Sequence, residues 1–98
     1  MSYADFLRED ARLVTLRLLS EMPAYTSNSS ILYDALSRFG HNPSRDLVKT
    51  ELRWLEEQGL VQLDDIGPVL VVKLTARGSD VAAGRVVTPG VKRPSAGG

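Results

Sequence analysis

Ser44-Arg45-Asp46-Leu47-Val48-Lys49-Thr50-Glu51-Leu52-Arg53-Trp54-Leu55-Glu56-Glu57-Gln58-Gly59-Leu60-Val61 reads as a capped helix that runs directly into a strand. Ser44 offers an N-cap oxygen to the first turn, and Leu47, Val48, Leu52 and Leu55 recur at helical spacing, with Trp54 at the edge of their stripe. Gly59 ends the helix in the left-handed conformation, and Leu60 can fold back as the apolar contact of a Schellman motif. A helix is therefore expected over residues 45–58.

Working toward the N-terminus, Gly40-His41-Asn42-Pro43-Ser44 is a tight connection. Pro43 bars helix at Asn42, and Gly40 closes the helix before it. That earlier helix is marked by Ile31, Leu32, Ala35, Leu36 and Phe39, and the polar run at 26–30 supplies its N-cap. Two helices joined by so short a turn suggest a helix-turn-helix. Before them, Leu7, Ala11, Val14 and Leu18 recur at one-face spacing, widened by Phe6 and Leu13, and Pro23 ends this first helix. Leu16 and Leu19 point away from that stripe, so either a later segment covers them or they form a dimer or partner surface.

Toward the C-terminus, Val61 to Asp64 alternates, Asp65-Ile66-Gly67-Pro68 reads as a turn, and Val69 to Leu74 is a β-branched run. The two runs pair as a hairpin. With Leu70, Val72 and Leu74 inward, Val69 and Val71 face out, available to a partner strand or covered by the N-terminal segment or the tail. Thr75 caps a last helix through Ala83, with Gly78 as an internal weak point. The fold class is mostly α with a small β-hairpin (α+β), in the order α-α-α-β-β-α. One domain is expected over 1–84, followed by a flexible, basic, Pro/Gly-rich tail over 85–98.

Composition narrows the function. The 98 residues carry 43% hydrophobic and 24% charged side chains, an ordinary globular balance in which about 60–65% of the unfolded surface can be buried. No run approaches the roughly 18 apolar residues of a membrane span, and the N-terminus lacks a secretory pattern, so the expected location is cytoplasmic. There is no cysteine and one histidine, His41, and the carboxylates show no clustered spacing. Neither a metal site nor a Cys or His nucleophile system can be assembled from these, so no enzyme, metal or cofactor is expected. No Gly-rich phosphate loop follows a strand. Formal net charge is zero, but residues 1–72 hold seven Lys or Arg against eleven Asp or Glu, and residues 73–98 hold five against one.

On the third helix Arg45, Lys49 and Arg53 fall close together, with Asp46 and Thr50 alongside, opposite the apolar stripe. In a helix-turn-helix the N-terminal part of the second helix enters the major groove, where Arg, Lys and hydroxyls read base edges. Ser44 and the first-turn amides can hold a backbone phosphate. Lys73 on the hairpin, with Lys92 and Arg93 on the tail, extends the candidate DNA surface. Against this stands the hairpin tip, where Asp64 and Asp65 would set carboxylates against a phosphate backbone. Trp54, Phe6, Tyr3 and Tyr25 are assigned to packing, while the Tyr33 hydroxyl is free to meet phosphate or water. A solvated amphipathic face is the alternative for the helix, and solubility alone accounts for the basic C-terminal residues equally well.

Leu52-Arg53-Trp54-Leu55-Glu56-Glu57-Gln58-Gly59-Leu60-Val61 and Leu74-Thr75-Ala76-Arg77-Gly78 resemble the passages into and out of the wing of a winged-helix domain. Including Phe39-Gly40-His41, Ser44-Arg45-Asp46 and Gly90-Val91-Lys92-Arg93-Pro94, the chain resembles small proteins of Mu-like phages and prophages, which are labelled ArsR-type regulators on fold grounds. The resemblance implies a DNA-binding transcriptional regulator of phage or prophage origin, contacting double-stranded DNA, typically as a homodimer. ArsR-type metal sensing needs ligands this chain lacks. The alternative is a winged helix used as an adaptor for a phage protein partner in replication or packaging, since one scaffold serves both uses.

Overall fold

The computed structural model describes residues 1–95. Helix α1 (Tyr3–Glu21) starts at a capping box, in which the Ser2 side chain accepts from the Asp5 amide and the Asp5 carboxylate accepts from the Ser2 amide. After a single 3-10 turn at Pro23–Tyr25 come strand β1 (Thr26–Asn28), helix α2 (Ser29–Arg38), helix α3 (Arg45–Glu57), strands β2 (Val61–Ile66) and β3 (Val69–Leu74), and helix α4 (Ala76–Ala82). No helix among the described residues is long and apolar enough to cross a membrane.

Strand β1 is absent from the sequence reading. Its three residues, expected only as capping material, pair antiparallel with β3 in the register Thr26↔Lys73, Ser27↔Val72 and Asn28↔Val71. Strand β3 thus becomes the centre of a sheet ordered β1-β3-β2. Asn28 still caps α2, accepting from the Ile31 amide, so one short polar run ends a strand and starts a helix. Val71 is consequently paired with Asn28, while Val69 lies past the end of β1; both residues are half-buried. The hairpin turn is shorter than expected. Strand β2 continues through Ile66, leaving Gly67 at φ +63 and Pro68 as the two central residues. A positive φ followed by the fixed φ of proline suits a type II′ turn.

The phase of α1 differs from the sequence reading. Its core face is Leu13, Leu16 and Leu19; the last two are both 0% exposed, covered by later segments rather than open as a dimer or partner surface. Leu7, placed inward by the periodicity, is 37% exposed, and Phe6 and Tyr3 are exposed too. The reason is position along the helix: Leu13, Leu16 and Leu19 lie in the stretch packed into the core, whereas Leu7 in the first turns lines an open apolar cavity shared with Leu36 of α2 and Leu47 of α3. On α2 and α3 the inner faces are Leu32 and Leu36, and Val48, Leu52 and Leu55, while Ile31, Phe39 and Leu47 stay exposed.

The end of α3 and the start of α4 meet in a tight corner. The Leu60 amide donates to the Leu55 carbonyl and Gly59 adopts φ +77, as a Schellman ending requires. Thr75 Oγ1 donates to the Gly59 carbonyl at 2.7 Å and accepts from the Gly78 amide at 3.0 Å. Gly78 is no weak point: it is buried, and a Cβ there would lie 2.1 Å from the Leu60 carbonyl oxygen.

Residues 85–95, expected to be a free arm, lie against the body. Thr88 and Val91 are buried, the Lys92 amide donates to the Glu9 carbonyl, and the Gly90 carbonyl accepts from Arg12. Residues 96–98 of the expected tail lie outside the described residues.

Candidate nucleic-acid interface

Helix α3 is anchored at its start by Ser44, whose hydroxyl accepts from the Leu47 amide at 3.0 Å. That bond satisfies one of the first-turn donors, and Asp46 in the same turn complements the helix dipole. At about 100° per residue, Arg45, Lys49 and Arg53 form a row along one flank of the helix, the flank turned toward the hairpin and α2. By helical angle Asp46, Thr50 and Glu57, not this row, lie directly opposite the Val48, Leu52 and Leu55 stripe, although Arg45 and Arg53 are exposed as well.

Each cation of the row has a partner. The Arg45 guanidinium lies over the Tyr33 ring, 4.4 Å from its centre. Lys49 Nζ donates to the Pro68 carbonyl at 2.9 Å, and Arg53 pairs with Asp65 at 3.1 Å. The pairings remain at the surface, with Arg53 52% and Asp65 68% exposed. Tyr33, expected to be free, is packed on the core and serves as a platform for Arg45.

Asp65, whose charge alone speaks against DNA contact, is a site residue. Its position follows from strand alternation: Val61, Leu63 and Asp65 share the face that looks toward α3, paired with Leu74, Val72 and Leu70. Where the apolar core ends, the third of these residues is an acid facing a cationic row. Asp64 lies on the opposite face, beside Val71. Extending the period of two by one residue would have shown it. Glu56 helps to hold β2 beside the helix by accepting from the Leu63 amide at 3.3 Å.

The remaining candidate cations do not join the row. Lys73 is exposed on the outer face of the sheet, and Lys92 lies across α1, paired with Asp10 at 3.1 Å and 5.2 Å from the centre of the Phe6 ring. Arg93 is exposed on the C-terminal segment. Asp10 also takes a hydrogen bond at 2.8 Å from His41, whose side chain is nearly buried. Partial burial pushes the Asp10 carboxyl up, but the hydrogen bonds from His41 and Lys92 outweigh it and leave the group below its ordinary value.

Beside the other flank of α3 lies a mainly apolar cavity of about 310 Å³, walled by Leu7, Ala11, Leu36, Pro43, Leu47 and Leu52, with Arg8, Arg12 and Glu51 at its rim. Among the described residues no group of three or more His, Cys, Asp or Glu is placed to hold a metal ion.

The chain is 50% identical over 90 residues to the uncharacterized protein gp26 of Escherichia phage Mu, covering 92% of this chain and 93% of that protein. It belongs to the family of Mu gp26. An uncharacterized protein of Haemophilus influenzae is also similar, 46% identical over 78 residues that span 79% of this chain and 76% of the relative. The resemblance to proteins of Mu-like phages therefore holds, and a phage origin is supported for the family. No protein-family model matches the chain, and no solved structure does.

Proposed function

We propose that this member of the Mu gp26 family is a winged-helix DNA-binding protein that acts in transcriptional control in a Mu-like phage or prophage. In this reading α2, the turn and α3 form the helix-turn-helix, and the β2–β3 hairpin is the wing. The observation that carries it is the gathering of Arg45, Lys49 and Arg53 along one flank of a helix whose capped N-terminus is open to solvent. Lys49 and Arg53 take oxygen ligands here, the chemistry a phosphate offers, while Thr50 is exposed beside them. One such helix reads few bases, so two copies on a two-fold operator are expected.

Fluorescence anisotropy against mixed-sequence duplex DNA at low and moderate salt tests the reading. Binding should weaken steeply with salt, with each phosphate contact contributing a slope of about 0.9 in the double-logarithmic plot. Lys49→Ala with Arg53→Ala should lower affinity at least several-fold, roughly, and flatten that slope. Absence of binding at low salt would falsify the proposal.

A second reading, a protein-interaction adaptor in phage replication or packaging, is favoured by zero net charge, by Asp46 and Glu57 at the outermost positions of α3, and by the apolar cavity flanked by exposed Leu7 and Leu47. Retention of a phage replication or packaging protein on immobilised chain, lost on Leu47→Asp, together with no DNA binding, would select it.

A further inference from the structure

The hairpin tip brings two oxygens to the α3 row. Asp65 places a carboxylate 3.1 Å from Arg53, and Pro68 places a carbonyl 2.9 Å from Lys49. A DNA phosphate would present the same kind of oxygen to the same two cations. The tip is not a chance approach of two loops, because Asp65 is directed by the strand alternation that also buries Val61. The contacts are exposed and single, the class of ion pair that is readily exchanged.

Resting on the DNA-binding reading, we propose that the hairpin tip is an internal competitor for phosphate. Asp65, with the Pro68 carbonyl, occupies the Arg53 and Lys49 side chains in the free protein, and a duplex binds by displacing it. The tip thus sets a threshold: a short or weakly charged polyanion leaves it in place, while a duplex that engages several cations at once displaces it. The acid beside the cationic row then has a role, holding down affinity for arbitrary DNA.

The test compares wild type, Asp65→Asn and Asp64→Asn in anisotropy titrations with a labelled mixed-sequence duplex at low salt, with circular dichroism as the check on folding. The two variants change net charge equally, but Asp64 is on the far face of β2. Both should tighten binding through the general charge effect. Asp65→Asn should tighten it roughly two- to fivefold beyond Asp64→Asn, the range an exposed charged pair supports, and the excess should shrink as salt rises. Equal tightening by the two variants overturns the competitor and leaves DNA binding standing. Failure of all three proteins to bind at low salt overturns both.

Discussion

The guanidinium carbon of Arg12 sits 3.7 Å from the centre of the Trp54 ring, which ties α1 to α3 through a cation and an aromatic face. The same guanidinium pairs with Glu51 at 3.0 Å and donates to the Gly90 carbonyl at 3.0 Å, so three segments converge on one side chain that is 11% exposed. Arg12→Ala removes all three contacts and leaves Glu51 with only the looser Arg8, at 3.6 Å. A loss of about 2–4 kcal/mol is expected, below that of a fully buried pair broken on one side. Urea denaturation followed by fluorescence of the single tryptophan measures it. A double-mutant cycle with Glu51→Gln should give a coupling of about 1 kcal/mol or more.

Gly78 is expected to be the least replaceable glycine. An added Cβ would lie 2.1 Å from the Leu60 carbonyl oxygen and 2.7 Å from Leu74 Cδ1, and the Leu60 carbonyl also accepts from Thr75. Gly78→Ala should therefore cost at least about 3 kcal/mol, since the obstacle is backbone held at both ends of the hairpin. Gly59→Ala meets nothing within 4 Å and suffers only the φ of +77. It should cost about 1–2 kcal/mol. Equal thermal shifts for the two would contradict the close approach.

Asp10 makes stability depend on pH in a stated direction. Its folded pKa lies below the ordinary 3.8 because hydrogen bonds from His41 and Lys92 outweigh the opposing effect of burial. A carboxyl depressed on folding contributes stability that is present above its unfolded value and is lost as pH falls through the folded one. Wild type should therefore exceed Asp10→Asn in urea midpoint at pH 7, and the gap should close only in acid below about pH 4. A gap unchanged between pH 7 and pH 2.5 would refute the assignment.

Much of this architecture was legible in local chemistry, and the failures share a cause. Ser44, Asn28, Thr75, Gly40 and Gly59 act through their own turns, so caps and helix ends are readable from residue type and spacing. The second and third helices and the hairpin followed from the same signals. The face of α1 did not, because Leu7, Ala11, Val14 and Leu18 and the set Leu13, Leu16 and Leu19 are both apolar stripes of one helix. Only the placement of α2, α4 and β3 decides between them. Strand β1 was hidden for the same reason: Thr26-Ser27-Asn28 has little strand character and pairs because β3 offers an edge. In the candidate site, the Arg45, Lys49 and Arg53 grouping was readable from helical spacing, whereas their partners come from α2 and the hairpin. The C-terminal segment illustrates the limit of composition, since Pro and Gly mark irregular backbone without saying whether it packs. Gly90 at φ +94 lies against the Trp54 ring, and Val91 is buried.

The last expectation concerns Thr88, a buried residue of that segment. Its residue is 5% exposed, and its hydroxyl has no hydrogen-bond partner among the described residues. A buried hydroxyl left unsatisfied forfeits its hydration without compensation, so replacing it with a methyl of nearly the same shape removes a penalty. Thr88→Val should leave the fold unchanged and raise stability by up to about 1 kcal/mol, against the usual trend for core substitutions. Thr88→Ala, which leaves a void beside Val91, should lower it. Thermal denaturation of the two variants beside wild type separates the outcomes: a Thr88→Val protein that melts well below wild type would show that the hydroxyl is engaged after all.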